Sequence, residues 1–147
     1  AIRRVYPTST SMTRRLIAAH AAYETGWGNK ARAFREGWNA FNITRTRLDP
    51  RPIVEAGDLE YAKDGTVKQI TQRFAKYSSL DDSIEDYLSF IGNPRYTNAR
   101  ALLDMGSIDF IDALSRGGYF TLPLAQYKGN MRSIVQTVAS LEPLSVV

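Results

Sequence analysis

Apolar residues along the chain fall into blocks of different period. From Ser11, a residue suited to cap a helix, Met12, Leu16, Tyr23 and the alanines form one stripe, which predicts a helix to about Thr25 ended by Gly26 and Gly28. Residues 29–34 read as a short helical turn, and residues 38–44, aromatic and β-branched, as an extended segment. Asp49-Pro50-Arg51-Pro52 breaks the pattern, since each proline fixes its own φ and pushes its predecessor out of the helical region. Residues 54–61 and 66–77 are strand-like runs around the turn dipeptide Asp64-Gly65, which predicts a β-hairpin.

After the hairpin the period changes. Ile84, Tyr87, Leu88 and Ile91 follow the i, i+3, i+4, i+7 spacing of one helix face, with Asp81 and Asp82 in the first turn and Gly92 beyond the end. Pro94 opens a new unit, and short helices follow at about 97–104 and 107–115, closed by Gly106 and by Gly117-Gly118. A last helix runs over about 124–141, with Met131, Ile134, Val135, Val138 and Leu141 facing inward. The pattern predicts a mostly helical α+β fold with one hairpin.

A length of 147 residues with 44% hydrophobic and 23% charged positions suits one globular domain, with the first ten residues or so as an N-terminal extension. The sequence has no cysteine, so it holds no disulfide framework, thiolate metal site, redox pair or cysteine nucleophile. Its one histidine, His20, removes multi-histidine metal sites, and nothing in the sequence calls for a metal or an organic cofactor. The apolar stretch 16–22 is too short for a membrane span, and Tyr23-Glu24 after it is no signal-peptide cleavage site. The chain begins with Ala rather than Met, as a processed or excised piece of a larger protein would.

The net charge of +4 favours anionic partners: nucleic acid, anionic lipid or bacterial wall polymer. Arg3-Arg4, Arg14-Arg15 and the looser set Arg45, Arg47 and Arg51 carry much of it. They are not interleaved with aromatics as on many nucleic-acid surfaces, so nucleic acid is not an expected partner.

Most carboxylates have plain explanations: Asp81, Asp82 and Glu85 suit a helix N-terminus, and Asp49, Asp58 and Asp64 lie in turn-like sequence. Glu24 differs, because it ends an apolar helix and precedes Thr25-Gly26-Trp27-Gly28, an indole and a glycine turn with room for a ligand. Apolar surroundings disfavour the charged form of an acid, which suits general acid catalysis. The competing reading is a solvated helix-end glutamate with Trp27 in the core. His20, four residues earlier on the same face, is either a hydrogen-bond partner for Glu24 or a packed core histidine. No serine stands in a context for a triad with His20.

The segment from Ala19 to Gly28, with Glu24-Thr25-Gly26-Trp27-Gly28 at its end, resembles the signature of the glucosaminidases of glycoside hydrolase family 73. Asn39-Ala40-Phe41-Asn42-Ile43, Glu60-Tyr61, Arg73 to Ser79, Ser83-Ile84-Glu85-Asp86-Tyr87, Asn93-Pro94-Arg95-Tyr96 and Gly118-Tyr119 match further family segments in order. The resemblance implies a lysozyme-like α core with a β-lobe, and cleavage of the peptidoglycan glycan strand after N-acetylglucosamine. It makes Glu24 the acid that protonates the glycosidic oxygen and Glu60 the candidate second carboxylate, with Glu55 as its competitor. Tyr96 inherits a role toward the N-acetyl group, whose oxygen attacks the anomeric carbon in a substrate-assisted route. Trp27, Asn39, Phe41, Tyr61 and Tyr119 are the substrate-binding candidates, with Trp27 and Phe41 offering ring faces to sugars, whereas Trp38 reads as core. The implied place of action is the wall, the periplasm or the exterior, or a phage virion.

This sequence departs from the family at Thr25, where the family has Ser, and at Asn42, where it has Gly. It departs again at Asp58-Leu59, in place of hydroxyl residues, and at Leu122, in place of an acid. A muramidase or lytic transglycosylase on the same frame is the nearest alternative. A catalytically silent wall-binding or structural domain is the alternative from a different class.

Overall fold

The structure, a computed structural model, describes residues 1–142. Its elements are α1 (Ile2–Val5), α2 (Ser11–Thr25), α3 (Arg32–Gly37), β1 (Ile53–Tyr61), β2 (Val67–Ala75), α4 (Leu80–Ile91), a 3-10 turn (Pro94–Tyr96), α5 (Ala99–Asp104), α6 (Phe110–Arg116) and α7 (Leu124–Leu141).

Helix α2 is the axis of the core. Leu16, Ile17 and Ala19 are fully buried, meeting Tyr127 and Met131 of α7, Leu103 of α5, Phe110, Ile111 and Leu114 of α6, and Ile84, Tyr87 and Ile91 of α4. Burying each large side chain contributes about 1.5–3 kcal/mol. Thr10, not Ser11, caps α2, its hydroxyl accepting the Thr13 N–H at 3.1 Å. The Thr13 hydroxyl in turn donates to the Leu103 carbonyl, tying α2 to α5. Helix α4 carries the expected apolar face and is capped by Ser79, which accepts the Asp82 N–H. Ile2, Val5 and Tyr6, half-buried, pack against the core, and Arg4 pairs with Asp81 at 2.9 Å.

The hairpin pairs Ile53 with Ala75 and Tyr61 with Val67, antiparallel and without a break. Gly65, at φ +86°, makes the turn, and Asp64 accepts the Thr66 N–H beside it. Val54, Ala56 and Phe74 bury the near half against Ala33 of α3. Farther out, Gly57 to Glu60 are exposed, and the tip reaches the body of the protein where the Tyr61 N–H donates to the Thr121 hydroxyl at 3.3 Å.

Several boundaries move from the expected ones. The helical turn after α2 forms at 32–37, and α5 and α6 begin at Ala99 and Phe110. Residues 38–44 form no strand, because Trp38 and Asn42 adopt positive φ of 53° and 54° and turn the backbone; only Thr44 bridges to Phe74. Trp38 is 48% exposed rather than core, and Leu141 is 69% exposed because α7 outruns the core at its end.

Candidate active site

Glu24 lies in the last turn of α2, which Gly26 ends in the left-handed conformation at φ +57°. The turn beyond is pinned by Thr25, whose hydroxyl donates to the Ala21 carbonyl and accepts the Gly28 N–H at 2.9 Å. A threonine hydroxyl does this as a serine's would, so the departure at Thr25 leaves the turn intact.

The Glu24 side chain is 12% exposed, and each of its oxygens has a protein partner. Asn42 donates to Oε2 at 2.7 Å and, with the same nitrogen, to the Glu24 main-chain carbonyl at 3.1 Å. The Tyr127 hydroxyl donates to Oε1. Positive φ at Asn42 explains the residue there: asparagine tolerates that conformation better than most side chains, and here it brings an amide to the acid.

Beneath Glu24, His20 is completely buried, its Nδ1 2.8 Å from the Tyr87 hydroxyl and its Nε2 2.7 Å from the Tyr127 hydroxyl. His20 is therefore both packed and hydrogen-bonded toward Glu24. Phe41, Phe110 and Tyr119 complete an aromatic cage, with ring centroids 5.4–6.0 Å from the imidazole. Burial, and then the charge of Glu24, hold the hydroxyls of Tyr87, Tyr119 and Tyr127 well above the usual phenol range, so all three keep their protons.

Two expected sugar contacts become supports. Phe41 is fully buried, stacked on Tyr87 at 3.8 Å, so its ring offers no face to a ligand, while its carbonyl accepts the Tyr119 hydroxyl. Asn39 is also fully buried; it donates to the Ile43 and Ala75 carbonyls and accepts the Ile43 N–H, fixing the loop that carries Asn42. Trp27, by contrast, is 49% exposed just beyond Glu24 and presents its indole to solvent.

Tyr96 is buried against Phe90 and Tyr119, and its hydroxyl has no hydrogen-bond partner among the described residues. The ring packs against Gly117, where a Cβ would stand 2.2 Å from Tyr96 Cδ1 and 2.9 Å from the Arg95 carbonyl. Gly117→Ala is therefore expected to displace Tyr96 and cost about 1–3 kcal/mol, read as a lower urea midpoint. An unchanged midpoint would contradict the contact.

On the hairpin, Glu60 is exposed opposite Lys68, while Glu55 faces Arg73 at 3.8 Å and is 63% exposed. Tyr61 sits at the tip, half-buried. Asp58 is mid-strand rather than in a turn, on the same face as Val54, Ala56 and Glu60. Partial desolvation raises its carboxyl above the usual range, the Leu59 N–H opposes this, and the charge of Glu24 adds to it. Asp58 thus lies within electrostatic reach of Glu24.

Asp58→Asn is expected to raise the melting temperature at pH 7, because the folded state disfavours the ionised carboxyl. That penalty disappears once pH falls below the ordinary carboxylate value of about 4, where folded and unfolded chains are both protonated. Equal gains at pH 7 and pH 3 would overturn the assignment.

Sequence reasoning missed Tyr127, although it lies one turn before Met131 on the inward face of α7. A groove of about 1170 Å³ between α1, α2 and the end of α7, rimmed by Arg3, Arg4, Arg14 and Arg15, includes neither Glu24 nor the hairpin. Among the described residues, no cluster of acids and histidine could hold a metal ion, and no helix is long and apolar enough to cross a membrane.

The family described as glucosaminidase, mannosyl-glycoprotein endo-beta-N-acetylglucosaminidase, matches residues 7–140. The peptidoglycan hydrolase FlgJ of Vibrio cholerae is 42% identical over 113 residues, covering 74% of this chain and 33% of that protein. FlgJ of Vibrio parahaemolyticus is 37% identical over 130 residues, 86% of this chain and 41% of that protein. The chain therefore spans well under half the length of these curated relatives. A crystal structure of a peptidoglycan hydrolase mutant from Sphingomonas sp. A1 superposes with a TM-score of 0.73 at 26% identity, covering 95% of this chain and 94% of that one. The α+β, lysozyme-like fold is shared.

Proposed function

Because the chain belongs to the glucosaminidase family of glycoside hydrolases, we propose that it is one catalytic domain that cuts the glycan strand of peptidoglycan after N-acetylglucosamine, with Glu24 as general acid. The names of its relatives supply the polymer. The observation that carries the reading is the setting of Glu24: a mostly buried carboxyl, held at both oxygens, that still reaches solvent beside an exposed indole.

In this reading the glycosidic oxygen takes the proton of Glu24 as the bond to the anomeric carbon breaks. Positive charge then develops on the sugar. Asp58 and Glu60, which share a face of β1, are the carboxylates able to meet it from the hairpin side. Trp27 gives a pyranose an apolar face. The place of action is the cell wall or periplasm, or a virion that meets the wall.

The test is digestion of purified peptidoglycan, borohydride reduction and mass analysis of the fragments. Ends carrying reduced N-acetylglucosamine are expected. Reduced or anhydro N-acetylmuramic acid would reassign the bond, and wall binding without fragments would make this a non-catalytic domain.

A further inference from the structure

The three side chains beneath Glu24 have a countable number of hydrogens. The Tyr127 hydroxyl has one hydrogen and two neighbours, Glu24 Oε1 and His20 Nε2. If that hydrogen goes to Glu24, Nε2 must carry its own and donate to Tyr127, and Nδ1 is then a bare acceptor for the Tyr87 hydroxyl, 2.8 Å away. Every donor and acceptor between Tyr87 and Glu24 is then used. In the opposite polarity, Nδ1–H would point at Tyr87, and the Tyr87 hydrogen would have no acceptor among the described residues. An unpaired hydroxyl inside the aromatic cage is costly, so the first arrangement wins.

We propose that His20 is a positioning residue: through Tyr127 it holds the inner oxygen of Glu24 as an acceptor and so confines the transferable proton to the outer oxygen, Oε2. That oxygen receives only the Asn42 amide, whose direction is set by its second bond to the Glu24 carbonyl, which leaves Oε2 a lone pair for the proton. The inference rests on Glu24 being the general acid, but its first test needs no activity.

Because His20 is the only histidine, nitrogen-15 NMR of the imidazole reports a single ring. The wild-type ring is expected to carry its hydrogen at Nε2 and to leave Nδ1 bare for the Tyr87 hydroxyl. In Glu24→Gln, the amide oxygen turns to Asn42, whose donor cannot rotate away, and the amide N–H turns to Tyr127. The Tyr127 hydrogen must then go to Nε2, so the variant is expected to show protonation at Nδ1. A wild-type ring protonated at Nδ1, or one tautomer in both proteins, overturns the proposal whatever the enzyme cuts.

The second test is the pH profile of kcat/KM on peptidoglycan. Titratable or charged groups facing these side chains are Glu24 itself, Tyr23 from α2 edge-on to Tyr127, Tyr87 from α4, Tyr119 from the loop before α7, Tyr127 from α7, Asp58 from β1 acting on Glu24, and Arg100 from α5 acting on Tyr87. Tyr127→Phe removes a donor to the carboxylate and is expected to move the alkaline limb up by about one pH unit. His20→Leu is expected to move the limb the same way. His20→Gln, whose amide puts an N–H2 donor and a carbonyl acceptor at a similar span, keeps it nearer the wild-type position than His20→Leu does. If His20→Leu fails to fold, the tautomers of wild type and Glu24→Gln decide, and an unmoved limb in a folded Tyr127→Phe protein refutes the assignment.

Discussion

Glu24→Gln is expected to lower kcat on peptidoglycan by about 10²–10⁴-fold while leaving the melting temperature within a few degrees of wild type. The rate loss is what general acid catalysis ordinarily contributes. The glutamine fills the same volume but has no proton to give to the glycosidic oxygen. Stability is spared because both positions remain bonded: the amide oxygen accepts from Asn42, and the amide N–H donates to a Tyr127 hydroxyl whose own hydrogen turns toward His20. Fragment release within tenfold of wild type, in a protein with an unchanged melt, would remove Glu24 from the chemistry.

The second large effect is on stability. Asn39→Ala is expected to lower the melting temperature by about 5–15 °C. Its carboxamide accepts the Ile43 N–H and, more weakly, the Phe41 N–H, and it donates to two carbonyls, all inside the core. Alanine leaves the two N–H groups unpaired and out of reach of water, at a cost of about 1–3 kcal/mol each. A typical domain has only about 5–15 kcal/mol in total. The same loop carries Asn42, so activity measured well below the melt is expected to fall as well. A melt unchanged from wild type would mean that the loop is held by something other than Asn39.

Much of this was legible from local sequence. The apolar spacing of α4 and the Asp64-Gly65 turn are short-range signals, and both elements form close to where they were expected. Glu24 was legible because its motif is contiguous, and its acid, glycines and indole occupy neighbouring positions on one turn. The loop from Trp38 to Thr44 was not, because residues with strand propensity are bent by positive φ and held by a side chain that bonds across the fold to Ala75. Propensity averages over environments and cannot register such a bond. Tyr127 was hidden for a related reason: it reaches Glu24 from a helix at the far end of the chain, and only the folded core brings the two together. Asp58 shares its strand face with Glu60, but a single aspartate before an exposed leucine carries no sign that it feels the charge of Glu24.

The hairpin divides into two halves with different anchorage. Its base is sealed by Val54, Ala56 and Phe74 against α3, whereas among the described residues one hydrogen bond ties its far half to the body, from the Tyr61 amide to Thr121. Two strands alone are barely stable in water. The tip is therefore tied to the body less firmly than the root. Under the proposed activity the substrate is a cross-linked strand with few free ends, which would have to enter from the side.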